Sequence, residues 1–259
     1  MQASPSDRAT PFSPGNRAGS VSPDEIARFG ALAAQWWDPD GPMRPLHRMN
    51  KLRIRWINQQ LARMPGRPAN TRLRVLDLGC GAGLASEALA ASGHDVLGVD
   101  ASAEAIAAAQ AHQEIATGMP QAGAGSLAYR CGSAESLVEE GQRFDAVIAL
   151  EIIEHVTDPA AFVALLERLL APGGVVLVST LNRTWRSLAF AKIGAEYVLR
   201  MLPAGTHEWR KFVTPAELGR YASQAGLRIS DIAGMVPSAG GWRESRDVAM
   251  NYIALMESR

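Results

Sequence analysis

The stretch that decides the fold is Val75–Gly83, which reads VLDLGCGAG. Its apolar first half predicts a short buried strand, and glycines follow at three alternate positions. Glycine allows a sharp turn from a strand into a helix and lets a ligand approach the backbone closely. The N-terminus of the helix that follows favours anionic groups. The stretch therefore predicts a ligand site at the end of the first strand.

The spacing of these glycines disfavours a dinucleotide fingerprint. That pattern needs another glycine three residues after its second glycine. Depending on the register, the required position here is Leu84 or Ser86. A nicotinamide-dependent oxidoreductase is therefore disfavoured.

Two acidic residues accompany the glycines. Asp77 lies two positions before the first glycine, and Asp100 ends the next predicted strand, Asp95–Val99. A carboxylate there can accept both hydroxyls of a ribose. Asp100 could instead cap the following helix, but Ser102 already fills that role, so the capping interpretation is discounted. Together the glycines and acids favour a nucleoside-containing ligand.

Short apolar runs alternate with helical patterns along most of the chain. Strands are predicted at 74–78, 95–99, 127–130, 144–150, 175–179, 227–235 and 250–256, and helices at 84–91, 103–113, 158–170 and 214–224. This alternation predicts an α/β, Rossmann-like fold with a mostly parallel, seven-stranded sheet flanked by helices.

The chain divides into a tail, an arm and a main domain. Residues 1–21 are rich in Ser, Pro, Ala and Arg and predict a disordered tail; a mitochondrial presequence competes, but the prolines weigh against it. A capping box at Ser22–Glu25 opens an N-terminal helical arm over 22–70, which includes a second helix at 50–62. The main domain covers 71–259 and contains an insertion at about 183–212.

The insertion has one apolar helical face, formed by Phe190, Ile193, Tyr197, Val198 and Met201. A lid helix packed on the core explains this pattern, and periodicity alone favours that interpretation. A surface that contacts a membrane or an apolar substrate is the functional alternative.

Composition excludes several classes of protein. Lys+Arg and Asp+Glu are both 26, so the formal net charge is +0, which argues against coating nucleic acid. Two cysteines cannot build a disulfide framework. No apolar run reaches the roughly 18 residues of a membrane span, and no secretory signal is evident. A cytoplasmic protein is expected.

A second candidate site, Glu151–His155, follows the fourth strand directly and reads EIIEH. On a helical turn, Glu151 and Glu154 would share one side, next to His155. The three side chains could bind a divalent cation that acidifies and orients a hydroxyl. Alternatively, His155 serves as a general base without a metal. A purely structural role, with His155 capping and the glutamates solvated, is the third interpretation.

The glycine stretch resembles motif I of the class I S-adenosylmethionine (SAM) methyltransferases. The resemblance implies that the glycines border the methionine and ribose parts of SAM, and that Asp77 and Asp100 bind its amino end and its ribose. It also implies contacts near adenine and near the sulfonium. The implied cofactor-binding residues are Asp77, Gly79, Gly81, Gly83, Asp100, Ala134, Glu135 and Leu150.

More specific segments over about 22–259 resemble the ubiquinone-biosynthesis O-methyltransferases. They are Trp36–Asp38, Pro45–Asn50, Glu151–Val156, Ser179–Arg183, Gly194–Tyr197, Leu202–His207 and Asp247–Tyr252. The resemblance implies two O-methylation steps on polyprenyl catechol-type quinone precursors, with Arg53 on the SAM carboxylate. Ala82, between two glycines, departs from the family and should fit unless it needs a positive φ.

The same resemblance implies further partners. A divalent cation, expected to be Mg²⁺, would bind Glu151, Glu154 and His155. The insertion at 183–212 would attach the protein peripherally to the bacterial inner membrane, and other ubiquinone-biosynthesis enzymes are possible partners. Trp36, Trp37 and the insertion would close the site during in-line methyl transfer to a catecholate oxygen.

Two rival functions stay open from the sequence. An RNA 3′-end methyltransferase can carry a similar Glu-x-x-Glu-His cluster, but the neutral charge and the apolar insertion speak against RNA. A non-catalytic, lipid-bound SAM sensor is the second rival, and the intact cluster argues against it.

Overall fold

The computed structural model describes residues 20, 26–27, 36–38, 40–41, 43–68, 70–116, 123–188, 209–238 and 241–259. The helices are α1 Arg44–Leu61, α2 Leu84–Ala91, α3 Ala103–Ala116, α4 Ala134–Glu139, α5 Pro159–Arg168 and α6 Pro215–Gln224, with a 3-10 turn at Trp209–Lys211. The strands are β1 Arg74–Leu78, β2 Asp95–Asp100, β3 Leu127–Cys131, β4 Phe144–Leu150, β5 Leu170–Leu181, β6 Leu227–Ser238, β7 Gly241–Ser245 and β8 Asn251–Ser258.

The strands form one sheet in the order β3-β2-β1-β4-β5-β8-β6-β7. The first five pair in parallel, whereas β8, β6 and β7 pair antiparallel. The predicted mostly parallel α/β fold is confirmed, but the sheet has eight strands rather than seven. The sequence pattern missed β7 because this polar edge strand has no buried residue to mark it.

The core lies on both faces of the sheet. In β4, Val147 and Ala149 pack in the cluster beneath α4, α5 and α6, whereas Ala146 and Ile148 pack in the cluster beneath α1 and α2. Alternate side chains of a strand point to opposite faces, so a central strand needs apolar residues at every position. This requirement explains the continuous apolar run that predicted β4.

Helix α1 joins the predicted arm to the sheet. It begins at Arg44, earlier than the predicted residue 50, and a proline stands in its first turn, where no backbone donor is needed. Trp56 and Ile57 are buried in the core, and burying one such side chain contributes roughly 1.5–3 kcal/mol. Asn50 Nδ2 also donates to the Leu84 carbonyl of α2 at 3.0 Å. The packing of α1 therefore places Arg53 beside the sheet.

Several predictions fall on residues outside the described ranges. They include most of the predicted tail, the capping box at 22–25, the apolar face of the insertion, and the segments Gly194–Tyr197 and Leu202–His207. The boundaries proposed for the tail, the arm and the insertion stay predictions.

Candidate active site

The turn after β1 needs glycine for two reasons. Gly79, Gly81 and Gly83 have φ values of 71°, 55° and 90°, a region that favours glycine. A Cβ added to Gly81 would lie 2.5 Å from Cζ2 of Trp36, and one added to Gly79 would lie 2.3 Å from Cδ1 of Ile152. In the described part of the chain, Glu151 is the one non-glycine residue with positive φ, so Ala82 fits the turn as expected.

Asp100 faces this turn. Its Oδ2 accepts the Gly81 N–H at 2.9 Å, and its Oδ1 accepts the Ser102 N–H at 2.9 Å. Ser102 caps α3 through the Ala105 N–H, as predicted. Asp100 also has a local structural role that the sequence did not indicate, because both of its oxygens accept from backbone N–H groups. Burial raises the pKa of Asp100, and its backbone hydrogen bonds oppose the rise.

Asp77 is held by a hydrogen bond from a residue of α2. The carboxylate is almost fully buried, and Ser86 Oγ donates to its Oδ2 at 2.6 Å. Burial raises the pKa of Asp77 to about 6, against the effect of the Ser86 bond. Ser86 is a supporting residue that the sequence motif did not reveal, since glycine spacing was the only reason to inspect that position.

The residues predicted near adenine begin α4. Ala134 is buried, and Glu135 Oε1 accepts from the backbone and the hydroxyl of Ser20, the backbone bond being 3.1 Å long. The Thr157 N–H donates to the Ser20 carbonyl at 3.0 Å. Burial acts to raise the pKa of Glu135, but hydrogen bonds from Ser20, Ser133 and its own backbone together lower it. One residue of the predicted tail thus lies against this part of the site.

Trp36 and Trp37 lie against the glycine turn. Trp36 is buried over Gly81, as its short distance to an added Cβ shows. The Trp37 indole donates to the Ala82 carbonyl at 2.9 Å and stacks on His112 with ring centroids 3.4 Å apart. The aromatic pair therefore forms one wall of the candidate site.

Glu151 is the first residue of the second candidate site, Glu151–His155, and accepts hydrogen bonds from residues of other elements. It directly follows β4, where Leu150 ends the strand, and has a φ of 58°. Its Oε1 accepts from Arg53 Nη2 at 2.5 Å, from Ser179 Oγ at 2.7 Å and from Asn251 Nδ2 at 3.0 Å. Asn251 Nδ2 also lies 3.1 Å from Oε2. Donors from α1, β5 and β8 therefore hold one carboxylate at the carboxyl end of β4.

Glu154 lies deeper than Glu151. It is 3% exposed, and Thr180 Oγ1 donates to its Oε2 at 2.9 Å. Burial, followed by the charge of Glu151, raises the pKa of Glu154 to about 8, while Arg53 opposes the rise. Glu154 therefore holds its proton more tightly than a solvent-exposed glutamate does.

The predicted three-residue metal cluster does not come together in this structure. Residues 151–156 form a bent turn rather than the helical turn that was predicted. Glu151 is committed to Arg53, Ser179 and Asn251, and Glu154 points to Thr180. Among the described residues, no group of three or more His, Cys, Asp and Glu side chains could hold a metal ion.

His155 lies on the same turn. It is half-buried, and its backbone N–H donates to the Ile152 carbonyl at 2.9 Å. Glu151, Glu154 and His155 therefore lie on the turn that directly follows β4. Ser179, Thr180 and Asn251 support this cluster; their segments carried the family resemblance, but no role was predicted for them.

The two ends of the insertion carry tryptophan and arginine. Trp185 is 77% exposed and stacks on Trp209, with ring centroids 5.6 Å apart. Arg186 lies beside it and pairs with Asp247 at 2.8 Å. Within the described ranges, no helix is both long enough and apolar enough to cross a membrane.

Comparison with known proteins gives consistent results. A family model described as a methyltransferase domain matches residues 46–231. A ubiquinone biosynthesis O-methyltransferase of Azorhizobium caulinodans is 47% identical over 240 residues, covering 90% of this chain and 92% of that protein. A protein of the same name from Rhodopseudomonas palustris strain HaA2 is 46% identical over 253 residues, covering 95% and 97%.

Solved structures share the fold. Magnesium protoporphyrin IX methyltransferase from Synechocystis, solved with bound SAH, has a TM-score of 0.62 at 19% identity, covering 91% of this chain and 100% of that chain. A possible histamine N-methyltransferase from Thermotoga maritima has a TM-score of 0.59 at 14% identity, covering 91% and 100%. At such low identity the likeness concerns the fold alone.

Proposed function

The chain belongs to the ubiquinone biosynthesis O-methyltransferases and is a SAM-dependent O-methyltransferase, and from this premise we propose that its acceptor is a phenolic oxygen of a polyprenyl catechol-type quinone precursor. The observation that carries the proposal is the identity of 46–47% to relatives of that name over nine-tenths of the chain or more. The relatives give no support to the RNA 3′-end methyltransferase.

We propose that SAM binds across the carboxyl ends of β1 and β2. In open parallel sheets, ligands bind outside these strand ends. The glycine turn offers room at Gly79, Gly81 and Gly83, and Asp77 and Asp100 offer carboxylates. Ala134 and Glu135 would flank the adenine, and Leu150 would lie near the sulfonium.

Arg53 is proposed to hold the carboxylate of SAM while it stays paired with Glu151. A guanidinium carries five N–H donors in a planar fork, so it can serve two carboxylates at once. Arg53 Nε is buried, and no described residue accepts from it. This unused donor supports a second role for Arg53.

The reaction forms an O–CH₃ bond as the S–CH₃ bond of SAM breaks, and SAH leaves. A phenol has a pKa of about 10, so a proton must be removed from the acceptor near pH 7. Glu151 already accepts hydrogen bonds from Arg53, Ser179 and Asn251. Burial favours the protonated form of Glu154, which cannot take a further proton, so we propose His155 as the group that takes the proton.

The divalent cation stays a prediction from the family resemblance. The donors are arranged differently from a metal site, because Arg53 already neutralises Glu151. An ion on Oε1 of Glu151 would compete with that guanidinium. We therefore assign no step of the reaction to the ion.

We also propose that the insertion binds the bacterial inner membrane peripherally, where other enzymes of ubiquinone synthesis would be potential partners. Support comes from the exposed Trp185 at its start, because tryptophan favours the membrane–water interface. Arg186 nearby suits anionic headgroups.

The decisive experiment incubates the protein with labelled SAM and a short-prenyl catechol, with Mg²⁺ or with EDTA. We expect label in the catechol and none in an RNA oligonucleotide given as competitor. Transfer that persists in EDTA supports His155 as the base, whereas loss that Mg²⁺ reverses supports an ion on the glutamates. Absent transfer with intact SAH binding contradicts the proposed acceptor.

A further inference from the structure

We propose that Asn251 recognises the methyl acceptor: its side-chain oxygen accepts a hydrogen bond from the hydroxyl next to the reacting oxygen of a catechol. This inference rests on the proposed function and deepens it. Asn251 is the first residue of β8 and is 3% exposed. It lies in Asp247–Tyr252, a segment to which the sequence gave no chemical role.

The contacts of Asn251 fix the orientation of its amide. Nδ2 donates to both oxygens of Glu151, at 3.0 and 3.1 Å. A charged carboxylate only accepts hydrogen bonds, so the nitrogen must face Glu151 and the oxygen must point elsewhere. The backbone of Asn251 is held in the sheet by its pairing with Leu181. The direction of Oδ1 is therefore set by the protein before any substrate binds.

The side-chain oxygen of Asn251 has no hydrogen-bond donor among the residues that the structure describes. Asn251 Oδ1 is buried, and no residue in the described ranges donates to it. Buried polar atoms are nearly always paired, so an unpaired one points to a water molecule or a ligand. Asn182 follows Leu181 at the same sheet edge, and its Oδ1 is buried without a donor from the described residues as well. Its Nδ2 is already bonded to the Val248 carbonyl.

The position of Asn251 indicates the acceptor rather than the cofactor. The glycine turn follows β1, and Asp100 ends β2. Asn251 begins β8, which lies beyond β4 and β5 in the sheet order. Glu151, at the end of β4, lies between the two groups and contacts Asn251 directly. A ligand atom at Asn251 Oδ1 is therefore on the far side of Glu151 from the cofactor residues.

The missing partner must be a donor, and a catechol supplies one. When one hydroxyl of a catechol loses its proton and takes the methyl group, the neighbouring hydroxyl keeps its proton and can donate to Oδ1. A phenol without that neighbour leaves the amide oxygen unpaired and is penalised. A site that hydrogen-bonds a substrate hydroxyl discriminates strongly against analogues that lack this hydroxyl. An apolar pocket discriminates less between substrates that differ by one methylene group. Asn251 would thus select vicinal dihydroxyarenes.

The test compares the binding of two compounds to the SAH-loaded protein. One is a short-prenyl catechol, and the other is the same compound without the neighbouring hydroxyl. Wild type, Asn251→Ala and Asn58→Ala are measured. Asn58 is a matched control, because its Oδ1 is also buried without a described donor and its Nδ2 donates to Ser92 Oγ at 2.8 Å, away from Glu151.

We expect wild type and Asn58→Ala to bind the catechol about 10-fold more tightly than the phenol, and Asn251→Ala to bind both within about twofold. Because each preference is a ratio within one variant, a lower folded fraction cancels. If Asn251→Ala does not fold, Asn251→Leu, which removes the amide oxygen, keeps most of the volume and offers no other acceptor, takes its place.

A preference that survives in the Asn251 variant overturns the inference. Equal binding of both compounds by wild type also overturns it and assigns Oδ1 to water. Failure of the proposed function is distinguishable, since wild type would then show the binding preference but transfer no methyl group to the catechol.

Discussion

The glycine turn after β1 and the carboxylate cluster after β4 lie at the same edge of the sheet but are built in different ways. The turn is formed by residues that are neighbours in the sequence. Glycine is required there because φ is positive at Gly79, Gly81 and Gly83 and because a Cβ would collide with nearby side chains. Around Glu151, side chains 98, 28 and 100 residues away supply the donors. A local motif can therefore specify the proposed cofactor site, whereas the proposed acceptor site depends on the packing of distant elements.

The difference predicts two kinds of failure. Changes at the glycine turn should weaken cofactor binding first. Changes at the carboxylate cluster should reduce turnover and stability first. Arg53 lies between these cases, because it touches Glu151 and is proposed to touch SAM.

The largest effect is expected from Arg53→Met. Removing the guanidinium leaves Glu151 partly buried without its cation, and breaking such a pair costs about 3–5 kcal/mol of stability. SAH affinity and turnover should both fall. Chemical denaturation and calorimetric SAH titration measure these effects. Arg72→Met, which removes an exposed pair with Asp95, is the control and should cost about 1 kcal/mol or less. Unchanged SAH affinity in Arg53→Met would refute its cofactor role.

Gly81→Ala should weaken SAH binding by about 10-fold or more, because a strained φ costs on the order of 1–3 kcal/mol and the new Cβ displaces Trp36. Gly141→Ala is the matched control: its φ is 69°, and nothing described lies within 4 Å of an added Cβ. Titration with SAH should find the Gly141 variant unchanged. Equal weakening of SAH binding in both variants would mean that the strain of a positive φ, rather than the contact with Trp36, causes the loss of affinity.

Glu154→Gln should change how stability depends on pH. The pKa of Glu154 rises from 4.5 to about 8 on folding, so the folded state holds its proton more tightly than the unfolded state. Stability from this group is full below pH 4.5 and is lost as the pH rises through about 8. Glutamine cannot ionise, so the variant should lose less stability over that range. Urea unfolding at pH 5 and pH 8.5 measures the slope.

Glu167→Gln on α5 is the control for the slope and should follow wild type. Turnover of Glu154→Gln is a separate measurement, and its SAH affinity should be unchanged because Glu154 lies in the carboxylate cluster. A variant slope as steep as that of wild type would show that Glu154 ionises normally in the folded protein.

Trp37→Phe should give the smallest effect. Phenylalanine keeps an aromatic ring for the stack on His112 but loses the hydrogen bond to the Ala82 carbonyl. A bond of this kind contributes about 1 kcal/mol, so SAH affinity should fall by about fivefold. Trp209→Phe loses a similar bond, to the Thr184 carbonyl, away from the glycine turn and should not change SAH affinity. Equal SAH affinities of wild type, Trp37→Phe and Trp209→Phe would show that the Trp37 hydrogen bond does not contribute to cofactor binding.

Sequence patterns predicted the elements that depend on local signals. The helices predicted at 158–170 and 214–224 and the buried strand predicted at 144–150 all occur, and Asp158 and Thr214 cap the two helices. The bent turn at 151–156 was missed, since a spacing of three is compatible with a helix or a turn. Long-range donors to its side chain, from Arg53, Ser179 and Asn251, hold Glu151 in place despite its positive φ.

By itself, the sequence determined the α/β class, the glycine turn with its acids, and the family, because these depend on neighbours in the chain and on residue types. Tertiary structure decided the rest. It placed Arg53 on Glu151, buried Glu154 at Thr180 and turned the amide of Asn251 toward Glu151. The physical reason is that burial and long-range hydrogen bonds set the charge and direction of each side chain, and both arise only when the helix of the arm, β5 and β8 pack around the end of β4.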